Sequence, residues 1–293
     1  MGNEIARAIV GGILTGSVYA LMAAGLTLIF GVMEIINIAQ GILVILAAYL
    51  SYTLQVHLHI DPFIGLLITT PLMFIVGVVI EWGFIRRLKM QNRTALSILV
   101  TYAVSIVIEG ILTLFYSTNL KTISAWYVTR SIKLFGFYLP YIYLMGFALA
   151  AVLLFALYLF LYKSQSGASI RAAVQNRTGA ELIGININRV SAITFGVGAA
   201  ATAGGGMIFG ATNSFNPNTS YDLISRLLVI IVLGGLGSIG GALLAAILAL
   251  VIEDVTAVLW SPIWASTMFF AFLIVILIVR PNGLFGRKAA RAQ

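Results

Sequence analysis

Apolar and polar residues fall in long blocks along this chain. Apolar blocks cover residues 8–30, 36–56, 62–85, 95–117, 139–162, 190–212, 223–236, 240–259 and 263–279. A helix of about 20 mostly apolar residues crosses a bilayer core. Helices are expected because they satisfy their own backbone polar groups. No block alternates in the way a barrel strand does. The pattern predicts an all-α polytopic membrane bundle of 8–9 transmembrane helices, some short or broken, forming one domain over residues 1–293. The count turns on Gly-Gly-Leu-Gly-Ser-Ile-Gly-Gly (234–241), which either separates two spans or interrupts one. The first block lacks a strongly basic start and is too long for a signal peptide, so it reads as a mature span. Ala6 stands where myristoylation wants Ser or Thr.

Composition agrees. The chain is 61% hydrophobic and 9% charged, against about 25% charged in soluble domains. Secreted domains, cytosolic enzymes and nucleic-acid binders are thereby excluded. With no cysteine there is no disulfide framework or thiol nucleophile. His57 and His59 lie beside Asp61, as a surface metal site or an ordinary loop.

The formal charge of +8 reads as orientation. Arg86, Arg87, Lys89 and Arg93 form one basic stretch. Lys163, Arg171, Arg177 and Arg189 form a second, and Arg280, Arg287, Lys288 and Arg291 a third. Nine spans put all 12 on one side, with Arg7, Lys121, Arg130, Lys133 and Arg226 opposite. The positive-inside rule then makes the 12 cytoplasmic, with the N-terminus outside and the C-terminus inside. Eight spans would separate the tail from the other basic stretches, so the charges favour nine, with 223–236 a short or tilted crossing.

Several features could carry function. Gly31-Val-Met-Glu34-Ile-Ile-Asn37-Ile-Ala-Gln40-Gly41 separates two apolar blocks with no real loop. It is a tight turn, or a broken helix bordering a wet path. As a broken helix it makes Gly31 and Gly41 intolerant of bulk. Glu81, Glu109 and Arg226 lie within blocks, with Glu253 and Asp254 near a block end. Such residues are functional candidates because charge in lipid is costly. Glu109 is the most interior. Glu81 can pair with Arg86 or Arg87, and Asp222 with Arg226 four residues on. Gly12/Gly16, Gly206/Gly210 and Gly237/Gly241 have the small-xxx-small spacing that lets helices approach closely. Gly204, Gly205 and Gly206, with Gly234, Gly235, Gly237, Gly240 and Gly241, are candidate packing or hinge positions.

The 163–189 stretch is too long for a connector. Ser166 or Ser169 can cap a short helix containing Arg171. Thr178-x-x-Glu181 reads as a capping box opening a second helix that Gly184 ends. Two short helices at the membrane surface suit docking of another protein or contact with anionic lipid. The scarcity of bulky apolar residues favours a protein. Opposite, Trp126 and Tyr127 in the 118–138 loop read as interfacial anchors or as a receptor surface. Lys163-Ser164 follows Tyr162 rather than Gly, so no Walker A loop is present. If ATP drives this chain, another chain binds it.

Five segments carry a resemblance over nearly the whole chain. They are Tyr-Ala-Leu-Met-Ala-Ala-Gly-Leu-Thr-Leu-Ile-Phe-Gly-Val-Met-Glu-Ile-Ile-Asn (19–37), Ile-Arg-Ala-Ala-Val-Gln-Asn (170–176), Ala-Glu-Leu-Ile-Gly-Ile-Asn (180–186), Gly-Gly-Leu-Gly-Ser-Ile-Gly-Gly-Ala (234–242) and Arg-Pro-Asn-Gly-Leu-Phe-Gly (280–286). The sequence resembles the permease subunits of bacterial ABC importers for branched-chain amino acids, the leucine/isoleucine/valine permeases of the shorter type. It departs from them at Gln40, where that family usually has His, and at Ala168-Ser169, where it usually has Gly-Arg.

The resemblance implies a multi-pass protein of the bacterial inner membrane that is not an enzyme and holds no cofactor of its own. It implies a heterodimer with a homologous second permease subunit, two ATPase subunits that bind ATP, and an extracellular or periplasmic substrate-binding protein. Residues 166–185 would be the coupling helix, with Ser169, Arg171, Gln175, Asn176, Glu181 and Gly184 its candidate ATPase contacts. Gly31, Glu34, Asn37, Gln40, Gly41 and Glu109 would border the translocation path. The competing reading is an ion-gradient-driven secondary transporter of small amino acids or amides, which should show internal repeats and a buried ion site. A passive channel would have no need of a structured docking loop.

Overall fold

The computed structural model describes residues 2–88, 93–134 and 137–286. Every apolar block contains a helix. In chain order the helices are α1 (Gly2–Met33), α2 (Gln40–Leu58), α3 (Pro62–Gly83), α4 (Arg93–Tyr116) and the single turn α5 (Trp126–Thr129). After the antiparallel hairpin β1 (Ser131–Leu134) and β2 (Phe137–Pro140) come α6 (Tyr141–Lys163), α7 (Gln165–Gln175), α8 (Arg177–Leu182) and α9 (Ile187–Thr212). The chain closes with α10 (Ser220–Gly234), α11 (Ile239–Leu259) and α12 (Pro262–Val279). Among the described residues, eight helices are long and apolar enough to cross a membrane: α1, α2, α3, α4, α6, α9, α11 and α12. The apolar block 223–236 is α10. Its 15 residues extend about 22 Å, short of a hydrocarbon core of about 30 Å.

Small residues decide which helices reach the centre. α1 and α9 are the most buried. A Cβ at Gly12 would lie 2.5 Å from the Val251 Cα, and one at Gly16 2.8 Å from the Ile247 Cα, so α1 lies directly on α11. Gly25 of α1 abuts the Gly198 carbonyl of α9, and Gly206 of α9 abuts the Val44 carbonyl of α2. Gly204 faces Leu153 and Gly205 faces Met22. Not every glycine spacing behaves this way. Gly237 sits with φ +82° in the turn before α11, so Gly237 and Gly241 do not share a helix face. Gly240 has open space where its Cβ would be. Apolar side chains such as Leu67, Leu114 and Ile263 cover the outside of α3, α4 and α12.

The ends sort by charge. The end of α1 meets the 235–238 turn through Gly31 and Gly237. That turn meets the tail, where the Leu284 and Phe285 amides donate to the carbonyls of Leu233 and Gly234. The end of α1, the start of α4 and the α7–α8 junction line one cleft. The described parts of all three basic stretches therefore lie at one end; Lys89, Arg287, Lys288 and Arg291 fall outside the described residues. The opposite end holds the start of α1, the β2–α6 junction and the last turns of α11. Tyr127 is no interfacial anchor. It is buried, packs edge-on against Phe63 and donates to Asp61 Oδ1 at 3.4 Å, while Trp126 stays exposed. Burial and the Asp61 carboxylate push the Tyr127 hydroxyl well above its ordinary pKa. Asp61 also caps α3, accepting from the Phe63 amide at 2.9 Å.

A side chain at Gly206 has no room, because backbone rather than a flexible side chain stands against it. Gly206→Val should therefore cost about 1–3 kcal/mol, seen as a lower melting temperature in detergent. Gly240→Ala should melt like the parent.

Candidate functional site

The break between α1 and α2 does not turn at the bundle surface. α1 ends at Met33, yet Gln40 Nε2 donates to the Gly198 carbonyl at 3.2 Å. The same amide lies against Gly25, eight residues back from the end of α1. Residues 34–39 thus run about 12 Å back along α1. Broken backbone at such depth must find partners inside the protein, and α4 supplies them. Thr94 Oγ1 donates to the Glu34 carbonyl at 2.8 Å, and Thr101 Oγ1 accepts from the Ile38 amide at 3.1 Å. Asn37 Nδ2 donates to Gln40 Oε1 at 3.1 Å. Asn37 Oδ1 and, on α1, Thr27 Oγ1 are buried without a hydrogen-bond partner. Glu34 starts the reversal with φ +54°, in the left-handed region.

A second segment enters from the other end. After α9 the chain folds back through Phe215, which packs against Gly210 and Tyr49, and through the 3-10 turn Pro217–Thr219. α10 then starts with the Ser220 carbonyl against Gly41, at the first turn of α2. Two helices therefore begin side by side inside the bundle, one reached from each end. The Gly41 contact leaves no space for a Cβ, whereas one at Gly31 would meet Gly237 at an ordinary 3.5 Å. The two glycines flanking the break thus differ in tolerance.

Polar groups gather on α10. Arg226 binds Asp222 Oδ2 through Nε at 3.0 Å and Glu253 Oε2 through Nη1 at 2.6 Å. Its Nη2 donates to Ser266 Oγ at 3.1 Å, and the guanidinium lies 5.3 Å from the Phe269 ring centroid. The i,i+4 pair expected from the sequence is thus one arm of a network tying α10 to α11 and α12. Glu109 of α4 accepts from the Tyr221 hydroxyl at 2.6 Å. It lies away from Asn37 and Gln40, which are fully buried. The residues expected along one path thus form three groups: Gly31 with Glu34, Asn37 with Gln40 and Gly41, and Glu109 with Tyr221. Glu81 pairs with neither Arg86 nor Arg87: it is buried and neither carboxylate oxygen has a hydrogen-bond partner.

At the basic end two short helices form, with caps other than those expected. Ser164, not Ser166 or Ser169, caps α7 by accepting from the Gly167 amide at 2.9 Å. Asn176, not Thr178, caps α8 by accepting from the Gly179 amide at 2.8 Å. Glu181 pairs loosely with Arg177 at 3.9 Å instead of closing a capping box. Gly184, with φ +87°, follows α8, and its amide donates to the Glu181 carbonyl. Ser169 donates to Gln165 within α7. Arg171 turns back onto the Tyr162 ring, 4.9 Å from its centroid. Gln175, Asn176 and Glu181 are exposed, but Leu182 and Ile183 stand out most, at 83% and 76% exposure. A cleft of ≈ 650 Å³ joins this element to the α1–α2 break, lined by Gly31, Glu34, Thr94, Gln175, Asn176 and Arg177 among others.

Residues 8–278 match the family described as branched-chain amino acid transport system / permease component. The chain belongs to this family. It is 28% identical to the high-affinity branched-chain amino acid transport system permease protein BraD of Pseudomonas aeruginosa, over 95% of both chains. It is 26% identical to the permease protein LivH of Escherichia coli K12, over 94% of each. A probable LivH of Methanocaldococcus jannaschii is 26% identical over 94% of this chain and 91% of its own length. PsaBC from Streptococcus pneumoniae, solved in complex with a Fab, shares the fold with a TM-score of 0.51 at 12% identity, covering 97% of this chain and 98% of that one. The permease is accordingly a transport component rather than an enzyme.

Thr94, Thr101, Glu253 and Ser266 were not singled out for these roles by the sequence, since their partners lie on other helices. The side chains of Arg226 and Glu253 are each 12% exposed. Removing one partner leaves a buried charge, so Arg226→Met should cost about 3–5 kcal/mol. Pairing it with Glu253→Met should recover part of that loss in a detergent melting assay.

Proposed function

We propose that this permease forms half of the translocation path of an ATP-driven importer for branched-chain or similar hydrophobic amino acids. The carrying observation is the α7–α8 element at the basic end, whose tip holds Leu182 and Ile183 out from the bundle. Exposed apolar side chains on a rigid, capped element suit a groove on an ATPase subunit. The element is firmly seated: Gly167 lies against the Phe160 and Leu161 carbonyls of α6 with no room for a side chain. Force applied at its tip therefore passes to α6, α9 and α1, against which α7 packs.

The path itself runs along α10 in this reading. Tyr221, Asp222 and Ser225 are exposed on a helix too short to span. Charged groups so placed do not face lipid. A second, homologous permease covers this side and the two enclose the path. Broken helices starting inside the bundle are the usual setting for such a path, and Asn37 Oδ1 and Thr27 Oγ1 are the buried polar atoms that hydrate when it opens. ATP is bound by the partner ATPases, and a substrate-binding protein delivers cargo at the opposite end. In this reading the α7–α8 end lies in the cytoplasm of a bacterial inner membrane and the N-terminus outside, and the gathering of the three basic stretches at one end supports it.

Two measurements test this. Tagged permease drawn from its native membrane should bring down a second permease and ATPase subunits. Leu182→Asp combined with Ile183→Asp should lose the ATPases while the permease stays monodisperse. Recovery of the chain by itself would point instead to ion-gradient-driven transport. Because the chain has no cysteine, single introduced thiols report sidedness. Ser214→Cys should react with an impermeant maleimide in intact cells, and Thr178→Cys only after lysis; the reverse pattern overturns the orientation.

A further inference from the structure

A cavity of ≈ 770 Å³ opens at the end opposite the basic stretches, between α1, α11 and the β2–α6 junction. Its size falls within the usual range for small-molecule sites. Glu4, Arg7, Gly11 and Thr15 line it from α1, the spacing that puts residues on one helix face. Asp254 lines it from α11, and Tyr143 from α6. Gly11 is what lets this carboxylate approach: a Cβ there would lie 3.2 Å from Asp254 Oδ2.

The charges do not satisfy each other. Among the described residues, neither Arg7 nor Asp254 forms an ion pair or side-chain hydrogen bond. Asp254 is nevertheless partly buried. A guanidinium and a carboxylate, both unpaired, thus line one cavity, with Tyr143 beside them and Leu14 and Val258 as apolar wall. Neither a lone anion nor a lone cation uses both groups. A molecule carrying an anion and an ammonium a few bonds apart does.

We propose that this cavity binds a zwitterion. Its anionic group lies on Arg7, and its ammonium lies on Asp254 against the Tyr143 ring. The apolar wall takes the aliphatic part. Two sources offer this chemistry: a free α-amino acid, or the headgroup of phosphatidylethanolamine in the adjoining leaflet. The site does not depend on the α7–α8 element or on ATP, so it stands or falls separately from the transport reading.

The test uses the delipidated full-length permease with whatever subunits copurify. Leucine and phosphatidylethanolamine are the probes, read by melting temperature and by adducts in native mass spectrometry. Phosphatidylglycerol, an anion with no ammonium, is the control. One zwitterion should bind, and Arg7→Gln and Asp254→Asn should each weaken it about tenfold. Phosphatidylglycerol should be indifferent to Asp254→Asn. Leucine as the sensitive probe identifies a free amino acid, and phosphatidylethanolamine identifies the lipid. Arg7 is exposed, so Arg7→Gln reports on binding even if Asp254→Asn lowers stability. Failure of both probes to bind, or equal binding to the parent and both variants, overturns the proposal.

Discussion

Backbone polar groups carried into the interior of a membrane bundle must be hydrogen-bonded there, and the rest of this architecture follows from how that is done. The 34–39 segment leaves helical geometry at Glu34 and returns along α1. It persists because Thr94 and Thr101 offer hydroxyls to its backbone and Gln40 reaches a carbonyl of α9. The Gln40 bond requires α9 to lie close against α1, which requires small residues where those two helices touch. Gly25 and Gly198 supply that contact, and Gly41 lets α10 begin against α2. Polar satisfaction and close packing are thus one requirement.

That arrangement gives the molecule two faces of different character. α3, α4 and α12 present apolar side chains outward, as lipid demands. α10 presents Tyr221 and Asp222, with Arg226 anchored to Glu253 behind them. The ion network fixes a short helix that has few residues with which to pack. It also leaves carboxylate charge at a depth where only protein or water can face it. The cleft beside α7–α8 joins the α1–α2 break to the basic end.

Legibility from sequence varied with how local the cause was. The blocks of apolar residues and the three basic stretches were readable because length and charge act without regard to partners. The α7–α8 pair was readable as two short helices from its Ser, the Thr178-x-x-Glu181 spacing and Gly184. The caps fall two residues before the nearest expected ones, at Ser164 and Asn176 instead of Ser166 and Thr178, because these side chains reach the Gly167 and Gly179 amides that open each helix. Arg171 looked like a docking contact. In the fold it lies against the Tyr162 ring, and Leu182 and Ile183 are the more exposed side chains of the element.

By itself the sequence determined the class: a multi-span helical membrane protein, the sorting of its loops, and its family through five separated motifs. It also located the irregular stretch at 31–41, because polar residues there interrupt apolar blocks without forming a loop. Tertiary structure decided what that stretch does. Whether Asn37 and Gln40 face water or protein depends on α4 and α9, more than 60 and 150 residues away. Pairing between Arg226 and Glu253, and the lack of it between Arg7 and Asp254, likewise depend on helix placement that no local pattern encodes. Hydropathy sums over a window, whereas a hydrogen bond or an ion pair requires two particular atoms to meet.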